Sequence, residues 1–397
     1  MLILSIETSC DDTGVALLDI RGGKIKIAAD FVSSQNDIHA PYGGVVPNLA
    51  VRAHYKNLPI LLESVLKKIN PSKIDLIAVT NGPGLEPCLW AGVRIARVLA
   101  QAMNKPIVGV NHLEGHIAAN WLAPIDGISN FQFPISKQIK NSHPAGGHPK
   151  GEKFKIKNLF PAICLIVSGG HTQIVLIKEI GKYKIIGQTR DDAAGEAFDK
   201  VAKILDLGYP GGPIISEYAK KGEKNAFDFP RPMINSGDFD FSFSGLKTAV
   251  LYAVKDAFHE KDDNNPAPGA KNTFNRGLRP NKAILKGKEF EKIKFNICSS
   301  FQQAAVDVLI SKTIKAAVKY KAKAVMMSGG VSANNELREQ MRKAVEKNLP
   351  SAICHSPSVR YCTDNAAMIG LAGYWKFMRQ GKGDTIEKIV AEANLNL

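Results

Sequence analysis

A chain of 397 residues is long enough to bury two separate cores, and 45% hydrophobic with 22% charged residues is the make-up of a folded globular protein. No apolar run approaches the roughly 20 residues that span a bilayer. The start turns acidic at Glu7 without a basic leader, and the six cysteines never come closer than eight residues, which excludes CxxC zinc and redox motifs and points to reduced thiols in the cytoplasm. The formal charge of +15 is the compositional outlier, and a polyanion, nucleic acid above all, is the partner it suits.

Residues 1–30 read as three strands, over 2–6, 14–18 and 24–28. The first turn among them, Glu7-Thr8-Ser9-Cys10-Asp11-Asp12-Thr13, is small and polar, a kind that presents N–H groups and hydroxyls to an anion. A helix is predicted over 49–69, then a strand ending in Asn81-Gly82-Pro83-Gly84, a helix over 89–103 and a short strand over 107–110. Next comes His112-Leu113-Glu114-Gly115-His116. Histidines four apart share a helix face, so both imidazoles can reach one ion. Glu114, two residues after His112, is turned roughly 200° away by the 3.6-residue period, so the base of an H-E-x-x-H peptidase is lacking. The spacing alone equally suits a surface histidine pair with no metal.

Residues 127–158 are rich in Lys, Gly, Pro and His, and carry Lys137, Lys140, Lys150, Lys153, Lys155 and Lys157 against a single Glu152. They read as an inserted loop, either touching RNA or merely solvated. The opening cadence then recurs, with strands over 162–167, 173–177 and 183–187 and a first turn Ser168-Gly169-Gly170-His171-Thr172. We read this as an internal duplication that sets two anion-binding hairpins across one cleft. A helix over 192–205 puts Asp192, Glu196 and Asp199 on one face. The first two suit the helix dipole; Asp199 lies deeper and suits a ribose hydroxyl. Gly211-Gly212 is either the stop of that helix or a close backbone approach to a ligand. Residues 255–294 form a second basic insertion. A strand over 323–327, a glycine loop over 328–335 and a helix from 336 make a unit suited to a nucleotide at a helix N-terminus. Asp364 precedes an apolar helix, where N-capping is the default role. Walker A, G-x-S-x-G and G-x-G-x-x-G patterns are absent.

In order, ETSCDDT, NGPGL, NHLEGHI, IVSGGHTQ, DDAAGEAFDK, YPGGP, FSFSGLKTAV, SGGVSANN and CTDNAAMIG closely resemble the TsaD family, the tRNA threonylcarbamoyladenosine transferases also called Gcp. The resemblance spans nearly the whole chain apart from the two insertions. It implies an α/β, two-lobed fold of the actin, sugar-kinase and Hsp70 type, with duplicated mixed sheets and a nucleotide cleft between the lobes. The expected division is an N-terminal lobe over 1–126 with the metal-binding helix, the insertion over 127–158, and a C-terminal nucleotide-binding lobe over 159–397, itself interrupted by 255–294.

The implied activity is transfer of the threonylcarbamoyl group from threonylcarbamoyl-AMP to N6 of the adenosine following the anticodon, in tRNAs reading ANN codons. Carried over residue by residue, the family's metal ligands fall on His112, His116 and Asp364 and are described there as binding iron. Two histidines and one carboxylate with open positions suit iron and also admit zinc. Substrate and nucleotide contacts fall on Ile166, Val167, Ser168, Gly169 and Gly170, then on Asp199, Gly212 and Asn334. Asp11, or its neighbour Asp12, is our candidate for a general base. The implied partners are tRNA and TsaB-like and TsaE-like proteins, in the cytoplasm and off the membrane. Asn48 departs from the Glu that the family commonly carries after Val-Val-Pro. Two other readings compete: a metallopeptidase, which the orientation of Glu114 disfavours, and a non-catalytic nucleotide-binding scaffold, which would need no open metal site.

Overall fold

The computed structural model describes residues 1–122, 159–258 and 288–397. The first insertion, 127–158, therefore lies outside the described residues, as do 259–287 of the second. The second is shorter than expected, because its ends continue the flanking helices to Phe258 and from Lys288.

Strands β1 (Leu2–Glu7), β2 (Thr13–Arg21), β3 (Lys24–Ser33), β4 (Leu76–Gly82) and β5 (Ile107–Asn111) form one five-stranded sheet in the order β3-β2-β1-β4-β5. Strands β6 (Ala162–Val167), β7 (Thr172–Glu179), β8 (Lys182–Gln188), β9 (Ala324–Ser328) and β10 (Ile353–His355) form a second, in the order β10-β9-β6-β7-β8. In the first, β1 runs antiparallel to β2 and parallel to β4. In the second, β6 runs antiparallel to β7 and parallel to β9. The two sheets thus repeat one connectivity, the duplicated mixed sheet of the actin, sugar-kinase and Hsp70-like fold.

The helices are α1 (Asn36–His39), α2 (Pro47–Leu66), α3 (Glu86–Met103), α4 (His112–Ala119), α5 (Ala194–Ile204), α6 (Gly211–Ala219), α7 (Ser244–Phe258), α8 (Lys288–Lys319), α9 (Asn335–Asn348) and α10 (Ala366–Gln380). Alternation of side chains along each strand divides the interior into three cores. Leu4, Ile6, Val15, Leu17, Ile77 and Val79 meet α2 and α3 on the outer face of the first sheet. Ile163, Leu165, Val167, Ile174 and Leu176 meet α5, α6, α7, α8 and α9 on the outer face of the second. The opposite faces, with Ile3, Leu18 and Ala78 from one sheet and Cys164, Ile166 and Val175 from the other, close on α4 and α10 in a shared middle core.

The sequence division at 159 is therefore not a division of the molecule. Helix α10 belongs to the last part of the chain but lies against the first sheet, because Leu371, Ala372 and Trp375 share the core of Ile3, Ala78 and Val108. Glycine permits the approach: a Cβ on Gly373 would stand 2.6 Å from that of Ala78, and one on Gly370 would stand 2.9 Å from Ser5 Oγ. The Ser5 hydroxyl donates to Ala366 O at 2.6 Å, fastening the start of α10 to β1. Trp121, just past α4, meets Trp375 edge to face at 5.4 Å. The carboxyl ends of β1, β5 and β6 run directly into the first hairpin turn, α4 and the second hairpin turn, and α/β sheets bind ligands at such ends.

Candidate active site

Helix α4 follows β5 directly and is eight residues long. Its start is fixed by Asn111, whose side-chain oxygen accepts from the N–H groups of Leu113 and Glu114 at 2.9 and 3.3 Å. The expected one-turn spacing brings His112 and His116 together, with ring centroids 4.6 Å apart. Asp364 completes the group. Its Oδ1 lies 3.4 Å from His112 Nε2 and 3.2 Å from His116 Nε2, and the three ligand atoms fall within 4.8 Å of one another. The capping role expected for Asp364 is taken instead by Asn365, whose side chain accepts from Met368 N at 2.9 Å. That shift by one residue frees Asp364 to face the histidines.

Two observations bear on whether this group suits a metal. His116 Nδ1 is buried without a hydrogen-bond partner and Nε2 meets only Asp364 Oδ1, a costly arrangement for a purely structural histidine. At His112, Nδ1 is occupied by Glu7 Oε2 at 3.1 Å and Ser9 Oγ at 3.2 Å. A proton held on Nδ1 by the carboxylate leaves the Nε2 lone pair toward Asp364, the histidine–carboxylate arrangement of metal sites. Glu7 is itself fully buried and held by Ser9 N–H at 2.5 Å and the Thr80 hydroxyl at 2.6 Å. The residues present fit a divalent cation. The Asp364 side chain keeps 21% exposure, so the group opens toward the cleft on the carboxylate side.

The electrostatics describe the group without a metal, in which His112 carries a proton on Nε2 that a bound cation would displace. Burial alone would lower the His112 pKa, but Asp364 and Glu7 outweigh it and push the pKa up to about 9. Burial lowers that of His116. Burial would raise Asp364, yet His112, His116 and His171 together hold it well below the usual carboxylate range. His171, in the second hairpin turn, is pushed down to about 4 by burial and by the two facing histidines, so it stands neutral beside them.

Glu114 points elsewhere, as its position on the helix requires. It accepts from the Tyr183 hydroxyl at 3.1 Å and from Arg379 at 3.0 Å, tying α4 to β8 and α10. A peptidase base would have to face the histidine pair, so Glu114 cannot act as one.

The two hairpin turns lie on either side. Ser168 Oγ accepts from His171 N–H at 3.1 Å, and the backbones of Ser168 and His171 close the turn with a 2.8 Å bond. Side chains at Gly169 or Gly170 would meet open space, whereas Ile166 and Val167 are wholly buried, so a ligand there can meet only their backbone. Gly329, at φ +87°, lies against this strand, and a Cβ on it would collide with Val167 O, so only glycine fits.

The first turn is held by a chain of buried hydrogen-bonding groups. Val46 N–H donates to His39 Nδ1 at 3.2 Å, His39 Nε2 to Gln35 Oε1 at 3.2 Å, and His54 Nε2 to Cys10 O at 2.9 Å, while Thr13 Oγ1 meets His54 Nδ1 at 2.8 Å. Within that turn, burial raises Asp11, and Asp12 is pushed up to about 7 by burial and then by Asp364 and Asp11. One oxygen of Asp12 is buried without a partner.

Asp199 and Asn334 are more engaged than the sequence suggests. Asp199 Oδ1 accepts from Gly211 N–H at 2.7 Å, so it caps α6, and burial raises its pKa to about 6. Gly211 is packed against Phe198 and Ala202, whereas a side chain on Gly212 would point into open space. Asn334 caps α9 through Leu337 N–H at 3.0 Å and donates to Ser216 and Gln302 at 2.8 and 2.7 Å. Asp192 lies before the helix and pairs with Lys200 and Lys247 at 2.8 and 3.1 Å.

A family model described as TsaD: tRNA N6-adenosine threonylcarbamoyltransferase matches residues 26–139 and 144–371. The chain belongs to the TsaD family. The tRNA N6-adenosine threonylcarbamoyltransferase of Thermosipho africanus is 42% identical over 383 residues, 96% of each chain. The protein of the same description from Thermosipho melanesiensis is 42% identical over 399 residues, 100% of each. Among solved structures, HypF from T. kodakarensis shares the fold at a TM-score of 0.53 and 14% identity, with 98% of this chain and 49% of that one covered. The sequence motifs of the family mark His112, His116 and Asp364; their neighbours Glu7 and His171 lie in two other motifs, ETSCDDT and IVSGGHTQ.

Proposed function

We propose that this chain transfers a threonylcarbamoyl group from threonylcarbamoyl-AMP to N6 of the adenosine following the anticodon in tRNAs reading ANN codons, with one divalent metal held by His112, His116 and Asp364. The observation that carries the reading is the convergence of two histidines and a carboxylate, about 250 residues apart in the chain, onto an opening flanked by two polar hairpin turns.

The chemistry asks little covalent work of the protein. An adenine amine is a poor nucleophile because its lone pair is delocalised, and the acyl donor is already activated by its AMP leaving group. What remains is to hold donor and amine in line and to stabilise developing charge. A bound cation supplies a Lewis acid for the carbamoyl carbonyl. The open backbone at Gly169 and Gly170 and the Ser168 hydroxyl hold the phosphate. Gly212 lets backbone approach the nucleoside, and Asp199 and Asn334 frame it. Asp12, whose pKa of about 7 lies nearer neutrality than an ordinary carboxylate's, takes the proton leaving N6 in preference to Asp11.

The +15 chain meets tRNA through phosphates, and TsaB-like and TsaE-like proteins complete a cytoplasmic assembly. Mass spectrometry of tRNA nucleosides after depletion and complementation tests the activity. The modified adenosine should vanish and return with the wild-type chain but not with His116→Ala. Restoration by His116→Ala would refute the metal's part, and undiminished modification on depletion would refute the activity.

A further inference from the structure

We propose that the segment 392–396 acts through Asn111 as a clamp on the histidine helix, setting where His112 stands. This rests on the metal reading above and adds to it a positioning residue and a positioning segment.

Helix α4 is only two turns long, too short to hold itself in place. Its body is held by the middle core and by Glu114, and its N-terminal end, which carries His112, by Asn111. Asn111 immediately precedes His112 and uses all its side-chain capacity. The oxygen caps α4, and the amide nitrogen donates to Leu395 O at 3.4 Å and Asn396 O at 3.0 Å. The segment that offers those carbonyls is docked in turn on the end of β4. Glu392 N–H donates to Asn81 O at 2.7 Å, Gly84 N–H to Ala393 O at 3.2 Å, and the Asn81 amide to Val390 O at 3.3 Å. The fit leaves no room for a side chain at Gly82, where a Cβ would collide with Glu392 O and stand 2.8 Å from Leu395 Cβ.

Asn111 therefore joins the cap of α4 to the segment 392–396. Aspartate keeps the cap but has no N–H to give, and it turns a negative charge on two carbonyls. A metal site tolerates only small misplacement of its ligands, about 0.5 Å, so releasing one end of a two-turn helix should be felt at His112. The matched part of the family ends at residue 371, which places this segment beyond it.

The test is titration of the metal-free full chain with Co²⁺, read by its visible absorption and by chelator competition. The variants are Asn111→Asp, a chain ending at residue 391, and the two combined, with melting curves to establish folding. Each single change should weaken Co²⁺ binding about 10- to 100-fold, the usual effect of losing support for a ligand, and should alter the absorption of the bound ion. The combined variant should be no worse than either alone. The added charge of Asn111→Asp would by itself tighten cation binding, so weakening reports position rather than electrostatics. If the shortened chain does not fold, Asn111→Asp decides alone. Unchanged affinity and spectrum, or losses that add in the combined variant, overturn the clamp. Failure of the unaltered chain to bind Co²⁺ overturns the metal reading itself, and the clamp with it.

Discussion

Glu7→Gln is the sharpest test of how the metal group is built. The wild-type carboxylate accepts three bonds, from Ser9 N–H at 2.5 Å, Thr80 Oγ1 at 2.6 Å and His112 Nδ1 at 3.1 Å. A glutamine of the same shape has one oxygen for them. If that oxygen stays on Ser9 N–H, the amide NH₂ faces Thr80, whose hydroxyl can turn to accept, and His112, whose Nδ1 can accept only by moving its proton to Nε2. The proton then occupies the atom that should coordinate. Loss of such support costs about 10–100-fold in metal affinity, which is about 1.4–2.7 kcal/mol. Packing should be unaffected, because the side chain keeps its volume. Isothermal titration of the metal-free protein, with melting curves alongside, measures both quantities. Metal affinity equal to wild type in a folded Glu7→Gln protein would refute the argument that Glu7 fixes the His112 tautomer.

Four further outcomes follow. The His112→Ala, His116→Ala double variant should lose its metal, measured by elemental analysis, and full occupancy would remove this site. Asp199→Ala should cost about 0.5–2 kcal/mol of stability as a lost helix cap, which Asp199→Asn should largely keep; unchanged melting of the alanine variant would show that the Gly211 contact does not form. Asp12 has its folded pKa raised to about 7, so its contribution to stability is complete below about pH 4 and lost as pH rises through about 7. Metal-free Asp12→Asn should therefore match wild type near pH 4 and exceed it near pH 8, by at most about 4 kcal/mol for about three units at about 1.4 kcal/mol each; equal denaturation midpoints at pH 8 would contradict the shift. Affinity for tRNA should fall linearly with salt on a log–log plot, and deletion of 127–158 should flatten the slope by roughly one unit for each phosphate that the shortened chain leaves unneutralised.

Much of this was legible because periodicity and turn chemistry are local. The strand over 162–167 matches β6, and the repeated meander foretold two sheets of one connectivity. The histidine face and the turn of Glu114 away from it followed from 3.6 residues per turn. What escaped depended on distance along the chain. Nothing near Asp364 shows that Asn365 takes the cap, and the cap that Asp199 gives to Gly211 crosses two helices. The burial of Glu7 beneath His112 joins residues 105 apart. The placement of α10 on the first sheet depended on small residues at Gly370 and Gly373, which a hydrophobicity pattern does not weigh.

That return of α10 has a consequence for synthesis. The first sheet is translated well before residues 366–380, which together with α4 cover the inner face bearing Ile3, Leu18, Ala78 and Val108. Domains generally fold as units, the earlier one first, yet here the earlier half has only α4 of its own for that apolar face. Closing so long a loop is slow and exposes the chain to aggregation in the interval. The order of events is thereby reversed: the second sheet has all of its outer helices before α10 arrives, and the first reaches its final packing only when that helix docks. Completion of the histidine–aspartate group coincides with that same event, so a nascent chain truncated before residue 364 lacks both the ligand and the cover.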